Sequence, residues 1–234
     1  MKAILDLLFP RRCPVCGEIV RPAGSLICPS CLPELSFTTP PVCKKCGKEI
    51  ADETVEYCRD CMARPHTFEY GVALLNYNEA ARRSVSQIKY NNKREYLDFY
   101  GKALAARYAG TIARMSVDAI VPVPVHPSRK RRRGFNQAEV LAQILGKYLN
   151  IPVSPDLLIR TRKTHPQKDL TPRERLSSLK GAFTAPPIPP SIRSVLLIDD
   201  IYTTGSTIEA CTCTLKTAGI RHVYFAVICT AGGR

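Results

Sequence analysis

The 234-residue sequence predicts an α/β domain, a mainly parallel sheet flanked by helices, behind a small N-terminal double zinc-ribbon module. Three observations carry that expectation. Eight of the eleven cysteines fall in four CxxC pairs ahead of residue 65. Beyond Pro65, apolar runs alternate with segments of helical periodicity, the mark of a layered α/β domain. One of those runs, SVLLID, delivers two adjacent carboxylates to a hydroxyl- and glycine-rich turn. The expected division is therefore a module of residues 1–65 and a larger domain of residues 66–234.

Composition narrows the function classes. A chain that is 45% hydrophobic and 23% charged can build one core and a small attached module, which excludes wholesale disorder. No run approaches the roughly eighteen uninterrupted apolar residues of a spanning helix, so an integral membrane protein is not expected. The opening MKAILDLLFPRRC is interrupted by Asp6 and lacks a small-residue cleavage site, so no signal peptide is expected. Paired thiols in a chain with an ordinary core point to metal in a reducing cytoplasm rather than to disulfides.

The four knuckles are Cys13/Cys16, Cys28/Cys31, Cys43/Cys46 and Cys58/Cys61, and the first two recur thirty residues on, with Gly17 returning as Gly47. Two knuckles on a short hairpin make one closed tetrahedral zinc site, so the repeat favours two sequential ribbons. Spacing alone also allows a cross-braced pairing of the first and third knuckles. Two roles are open for the module: zinc that merely replaces a core too small to fold alone, or a recognition module that docks a partner. Residues 1–65 carry nine Lys/Arg against eight Asp/Glu, while residues 66–234 carry twenty-five against twelve. Eight thiolates with two Zn²⁺ turn the module's formal +1 to about −3, so the basic excess that attracts phosphates lies in the larger part.

In that part YGVALLNY (70–77) is expected as a strand, followed by helices over 79–90 and 94–114. DAIVPVPV (118–125) is a second strand whose prolines stop the ladder, and 135–149 is a helix. SVLLID (194–199) is a buried strand, 206–218 a helix ended by Gly219, and HVYFAVICT (222–230) the last strand. Residues 160–181 are polar, basic and irregular, and Pro186–Pro190 forms a surface connection without a function of its own.

The chemistry is expected at VLLIDDIYTTGST, 195–207. Ligands of open α/β sheets sit at the carboxyl ends of strands, where Asp199 and Asp200 can hold sugar hydroxyls. The amides and hydroxyls of Thr203, Thr204, Gly205, Ser206 and Thr207 can converge on a phosphate at the following helix. A plain helix cap is the simpler reading, but two consecutive acids straight after an apolar run exceed what a cap needs. The dinucleotide loop GxGxxG and the nucleotide loop GxxxxGK[ST] are absent, which argues against NAD enzymes and ATPases.

IDDIYTTGST resembles the phosphoribosyl-pyrophosphate (PRPP) loop of type I phosphoribosyltransferases. With PVPVHPSRKRRRGFNQA (122–138) and the zinc knuckles, nearly the whole chain resembles the ComF competence-protein family, a double zinc ribbon fused to that transferase fold. The resemblance implies that Asp199 and Asp200 take the ribose hydroxyls and the 203–207 loop the 5′-phosphate. His126, Arg129 and the run Arg133-Gly134-Phe135-Asn136-Gln137 would meet the pyrophosphate, guanidinium forks suiting phosphate oxygens. The five basic residues from Arg129 to Arg133 also read as a solvated run or a nucleic-acid patch. Mg²⁺ would bridge pyrophosphate and ribose, and with Asp199, Asp200, Arg129 and Arg133 as the catalytic set, positioning and electrostatics supply the rate.

The resemblance places a mobile hood at 160–181, where Gln167, Arg175 and Gly181-Ala182-Phe183 fit the family run and Ser178 stands in place of an expected Asn. No acceptor pocket is legible. Tyr90, Tyr96, Phe99, Tyr100 and Tyr108 can stack on a base, although aromatics at helical spacing are more often core. Cys211, Cys213 and Cys229 read as small buried hydrophobes, and His66, His165 and His222 as residues without an evident partner. Two functions follow: a transferase of phosphoribosyl to an amine or base, linked to competence and DNA uptake, or a single-stranded-DNA-binding competence factor that keeps the fold as PRPP sensor or scaffold. The ribbons would then engage competence or recombination proteins.

Overall fold

The computed structural model describes residues 10–162, 179 and 181–231. Its centre is a four-stranded sheet in the order β1-β6-β5-β2, from β1 (Gly71–Asn76), β2 (Ala119–Pro122), β5 (Ser194–Tyr202) and β6 (His222–Thr230). Every pairing is parallel, and β5 and β6 run in register from Ser194↔His222 to Tyr202↔Thr230. Strands buried on both faces need near-continuous apolar runs, which VLLI and VYFAVIC supply. A two-stranded antiparallel ribbon, β3 (Ile159–Arg160) with β4 (Phe183–Thr184), stands apart from this sheet.

A short helix, α1 (Arg59–Ala63), carries Cys61 and ends the second zinc ribbon. Beyond it, two hydrophobic clusters lie on the faces of the sheet. The first collects α2 (Glu79–Tyr90), α3 (Tyr96–Met115) and α5 (Gln137–Leu149) against Leu74, Ile120, Leu196 and Ile198. Helix α2 begins where Asn78 accepts from the Ala81 amide at 3.0 Å, and its Ala81, Val85 and Ile88 form the buried stripe. Helices α3 and α5 approach so closely at Gly101 that a Cβ there would lie 2.4 Å from Ile144 Cγ2. The second cluster packs α6 (Ser206–Thr217) against Val195, Leu197, Val223, Phe225 and Val227, together with Phe183.

Two expected elements are corrected. Strand β5 does not stop at Asp199 but runs to Tyr202, because β6 keeps pairing through Ile201↔Cys229 and Tyr202↔Thr230. The basic run 129–133, expected as loop, lies within a short helix α4 (Pro127–Arg133). The His126 side chain caps it, Pro127 opens it, and Gly134 closes it at φ 82 in the left-handed region.

Sequential pairing of the knuckles holds: Cys13, Cys16, Cys28 and Cys31 form one cluster, and Cys43, Cys46, Cys58 and Cys61 the other. The bridges Arg12↔Ile19 and Val42↔Glu49 repeat the same hairpin thirty residues apart. Within each cluster the sulfurs lie within 4.8 Å of one another, and Cys46 Sγ is 3.6 Å from Cys58 Sγ. A tetrahedral ion with Zn–S of about 2.3 Å needs sulfurs about 3.8 Å apart, so both sets fit zinc. The module is tied to the sheet by Thr38 N donating to Leu74 O at 3.0 Å, Asn76 N to Ser36 O at 2.7 Å and Gly71 N to Lys45 O at 3.0 Å. No helix of the described residues is long and apolar enough to cross a membrane.

Candidate functional site

Strand β5 carries both carboxylates to one end of the sheet, where they meet different surroundings. Asp200 is buried and pairs with Lys89 of α2, Nζ to Oδ2 at 2.8 Å. Burial pulls the Lys89 ammonium down, yet the Asp200 charge outweighs it and leaves Lys89 above its ordinary value. Asp199 accepts the Asp200 amide at Oδ1, 2.8 Å, and lies within electrostatic reach of Arg160. Burial, then the negative Asp200 beside it, pushes Asp199 up to about 7. Lys89 therefore balances the charge of one acid while its neighbour sits near neutrality with a proton to release.

The turn after β5 closes on itself. Thr204 Oγ1 lies 2.9 Å from Ser206 Oγ, and Gly205 takes φ 78 at the start of α6. A Cβ on Gly205 would stand 2.4 Å from the Tyr202 hydroxyl, so only glycine fits. Residues Ile201 to Ile208 line a small concavity at the start of α6, the kind of place where helix N-terminal amides bind a phosphate. A separate hollow of about 630 Å³ lies on the second ribbon, walled by Ile50, Val55, Tyr57 and Met62, and contains none of these groups.

Two arginines lie within electrostatic reach of the carboxylates, Arg133 of Asp200 and Arg160 of Asp199. Arg129 and Arg133 lie one turn apart on α4, partly buried, while Arg131 and Arg132 are exposed and the exposed Lys130 pairs with Glu139 at 2.9 Å. Burial lowers Arg133 below its ordinary value, opposed by Asp200 and aided less strongly by repulsion from Arg129 and Arg132. Arg160, a residue the sequence did not single out, is 8% exposed and packs over the Phe183 ring, with Arg129 acting on its charge. His126 is spent on the α4 cap, its Nδ1 2.8 Å from Ser128 Oγ. Asn136 caps α5 and donates to Val123 O at 3.1 Å. Gln137 bonds Arg133, whereas Gln167, Arg175 and Ser178 lie outside the described residues, as does His165.

The loop rests on a built foundation. Glu209 of α6 accepts both N–H and O–H of Thr67 and stands 3.4 Å from His66 Nδ1, so His66 does have a partner. His222 also has one, Glu69 at 3.5 Å. Burial pushes the Glu209 carboxyl up, but His66 and Thr67 more than offset it and leave it below the usual range. From the second ribbon, Lys48 is buried with its Nζ 2.7 Å from Asp60 and 5.7 Å from the centre of the Tyr202 ring. Tyr202 in turn stacks on Phe225 at 4.9 Å. Cys211 and Cys229 are buried as expected, but Cys213 is exposed beside Thr67. Of the five aromatics, Tyr96, Phe99 and Tyr100 are core, Tyr108 donates to Ala73 O at 2.7 Å, and Tyr90 is 64% exposed.

Comparison with known proteins fits this architecture. A family described as a double zinc ribbon domain matches residues 4–62. The DNA utilization protein YhgH of Salmonella typhimurium is 30% identical over 202 residues, 84% of this chain and 80% of that protein. The chain belongs to the ComF family. Competence protein F of Haemophilus influenzae is 29% identical over 173 residues, 72% of this chain and 76% of its own. Competence protein ComFC of Streptococcus pneumoniae is 30% identical over 158 residues, 64% of each chain. A purine phosphoribosyltransferase from Pyrococcus horikoshii Ot3 matches 57% of this ComF chain and 81% of its own at 18% identity, with a TM-score of 0.31.

Proposed function

We propose that this ComF protein binds PRPP with Mg²⁺ at the end of β5 and transfers its phosphoribosyl group to an amine or base in the handling of DNA. The observation that carries the reading is the conjunction on one strand end of an acid pair and a glycine-turned loop, with Arg133 within electrostatic reach of Asp200 and Arg160 of Asp199. The loop amides of 203–207 take the 5′-phosphate, and Gly205 lets the backbone approach it. Asp199 and Asp200 take the ribose hydroxyls, and the guanidiniums neutralise the departing pyrophosphate. Mg²⁺, when bound, supplies charge neutralisation between the ribose and pyrophosphate oxygens. Lys89 must yield some of its hold on Asp200 when the ribose arrives, or share that carboxylate with it.

The names of the relatives, DNA utilization and competence proteins, support the link to DNA. They also favour a second reading, in which the solvent-facing Lys130, Arg131 and Arg132 hold a single strand and no transfer occurs. Pyrophosphate release from PRPP and Mg²⁺, assayed across a panel of amines, free bases and oligonucleotides, separates the two. Release by the wild type but not by Asp199→Asn with Asp200→Asn supports transfer. Salt-sensitive binding of oligonucleotide without any release supports the second reading.

A further inference from the structure

We propose that Tyr90 is a stacking platform for a nucleobase at the mouth of the carboxylate site, a proposal that deepens the reading above by naming the class of its partner molecule. Exposure alone means little, since single exposed aromatics are ordinary. The neighbours of Tyr90 set it apart. Lys89, the residue before it on α2, reaches down to Asp200 at 2.8 Å, which anchors this turn of helix to the acid pair. The Arg133 guanidinium lies 5.9 Å from the centre of the Tyr90 ring and is itself held by Gln137. Arg133 also lies within electrostatic reach of Asp200, so ring and carboxylate share one guanidinium as a neighbour. The ring thus lies next to a residue of the site, with most of its surface open.

A flat, exposed phenol with a guanidinium beside it suits any planar heteroaromatic, because every base has a π-face and a neighbouring cation strengthens the stack. The surrounding positive charge favours a base with phosphate close by, either on its own strand or on PRPP bound alongside. Lys93 and Arg94 follow Tyr90 in sequence, Arg94 lying over the Phe135 ring at 4.4 Å, and the exposed face of α4 adds Lys130, Arg131 and Arg132. The same nucleobase chemistry comes from two sources, a free base waiting to accept phosphoribosyl or a base within a single strand.

The test uses the zinc-loaded full chain with adenine, oligothymidine and an abasic oligomer of equal length as probes. Stacking on one ring accounts for a loss of about tenfold or more in affinity on truncation. The expected result is that Tyr90→Ala weakens adenine or oligothymidine by that factor and leaves the abasic oligomer and the unfolding midpoint unchanged, while Tyr90→Phe retains wild-type affinity. A loss for adenine only in the presence of PRPP and Mg²⁺ assigns the free base, and a loss for oligothymidine without PRPP assigns the strand. The chain has no tryptophan, so Tyr90→Trp adds a sole indole emitter that a stacked base should quench. Equal affinity of Tyr90→Ala and wild type for both base-bearing probes overturns the platform, as does an equal loss for the abasic oligomer. Absence of PRPP binding by the wild type overturns the phosphoribosyl reading alone, because the oligothymidine arm does not need PRPP.

Discussion

Asp199 and Asp200 are neighbours in sequence with opposite electrostatic fates. Lys89 compensates Asp200, whereas Asp199 is raised to about 7 by burial and by Asp200. A ligand that needs the ionised Asp199 should bind more tightly as pH rises through about 7, by up to tenfold per pH unit below it, and release a proton on binding. Titrations of PRPP with Mg²⁺ between about pH 5.5 and 8.5 measure this, and Asp199→Asn should abolish the slope. The stability consequence has the opposite sign. The folded acid holds its proton up to about 7 while the unfolded one loses it near 3.8, so Asp199 costs stability progressively across that window as pH rises. At Gly205, alanine meets both a left-handed φ of 78 and the Tyr202 hydroxyl. Gly205→Ala should lose about 1–2 kcal/mol in denaturant unfolding and most of the loop's affinity for phosphate.

At the scale of elements, α6 matters because it carries the loop on its first residue and Glu209 one turn further in. Glu209→Ala leaves the buried His66 side chain without its carboxylate, removes the hydrogen bonds from Thr67, and should cost about 1–3 kcal/mol in denaturant unfolding. Lys216→Ala, which breaks only a partly exposed pair with Glu69, should cost less than about 1 kcal/mol. Elements whose signals are local were legible. Helix 79–90 has its cap at Asn78 and its stripe at Ala81, Val85 and Ile88, and strand 222–230 is one continuous apolar run. Signals that depend on pairing or packing were not. The extension of β5 to Tyr202 is set by β6, a strand that begins only after the whole of α6. The caps of α4 were present as Pro127 and Gly134, but five consecutive like charges resemble a solvated loop. Lys89 and Arg160 lay in segments without a motif, and only the fold shows that they face the acid pair.

Over the whole molecule, the zinc module and the sheet form one connected structure. The first ribbon holds the start of α3 through Arg11, whose Nη2 lies 2.6 Å from Asp98 Oδ2, and the second seats Lys48 beneath Tyr202. Two zinc ions per chain are expected from metal analysis, since each four-cysteine set is closed. Replacing Cys58 and Cys61 by serine should abolish one of them, free the Lys48 hairpin, and weaken phosphate binding at the loop more than equivalent changes to Cys28 and Cys31. The central claim, a phosphoribosyl site built from the acid pair and the 203–207 loop, is tested most directly by calorimetric titration of PRPP into the zinc-loaded chain. Magnesium-dependent binding that disappears in the variant Asp199→Asn with Asp200→Asn, at unchanged zinc content and unfolding midpoint, is the result predicted. No binding by the wild type, or undiminished binding by that variant, would contradict it.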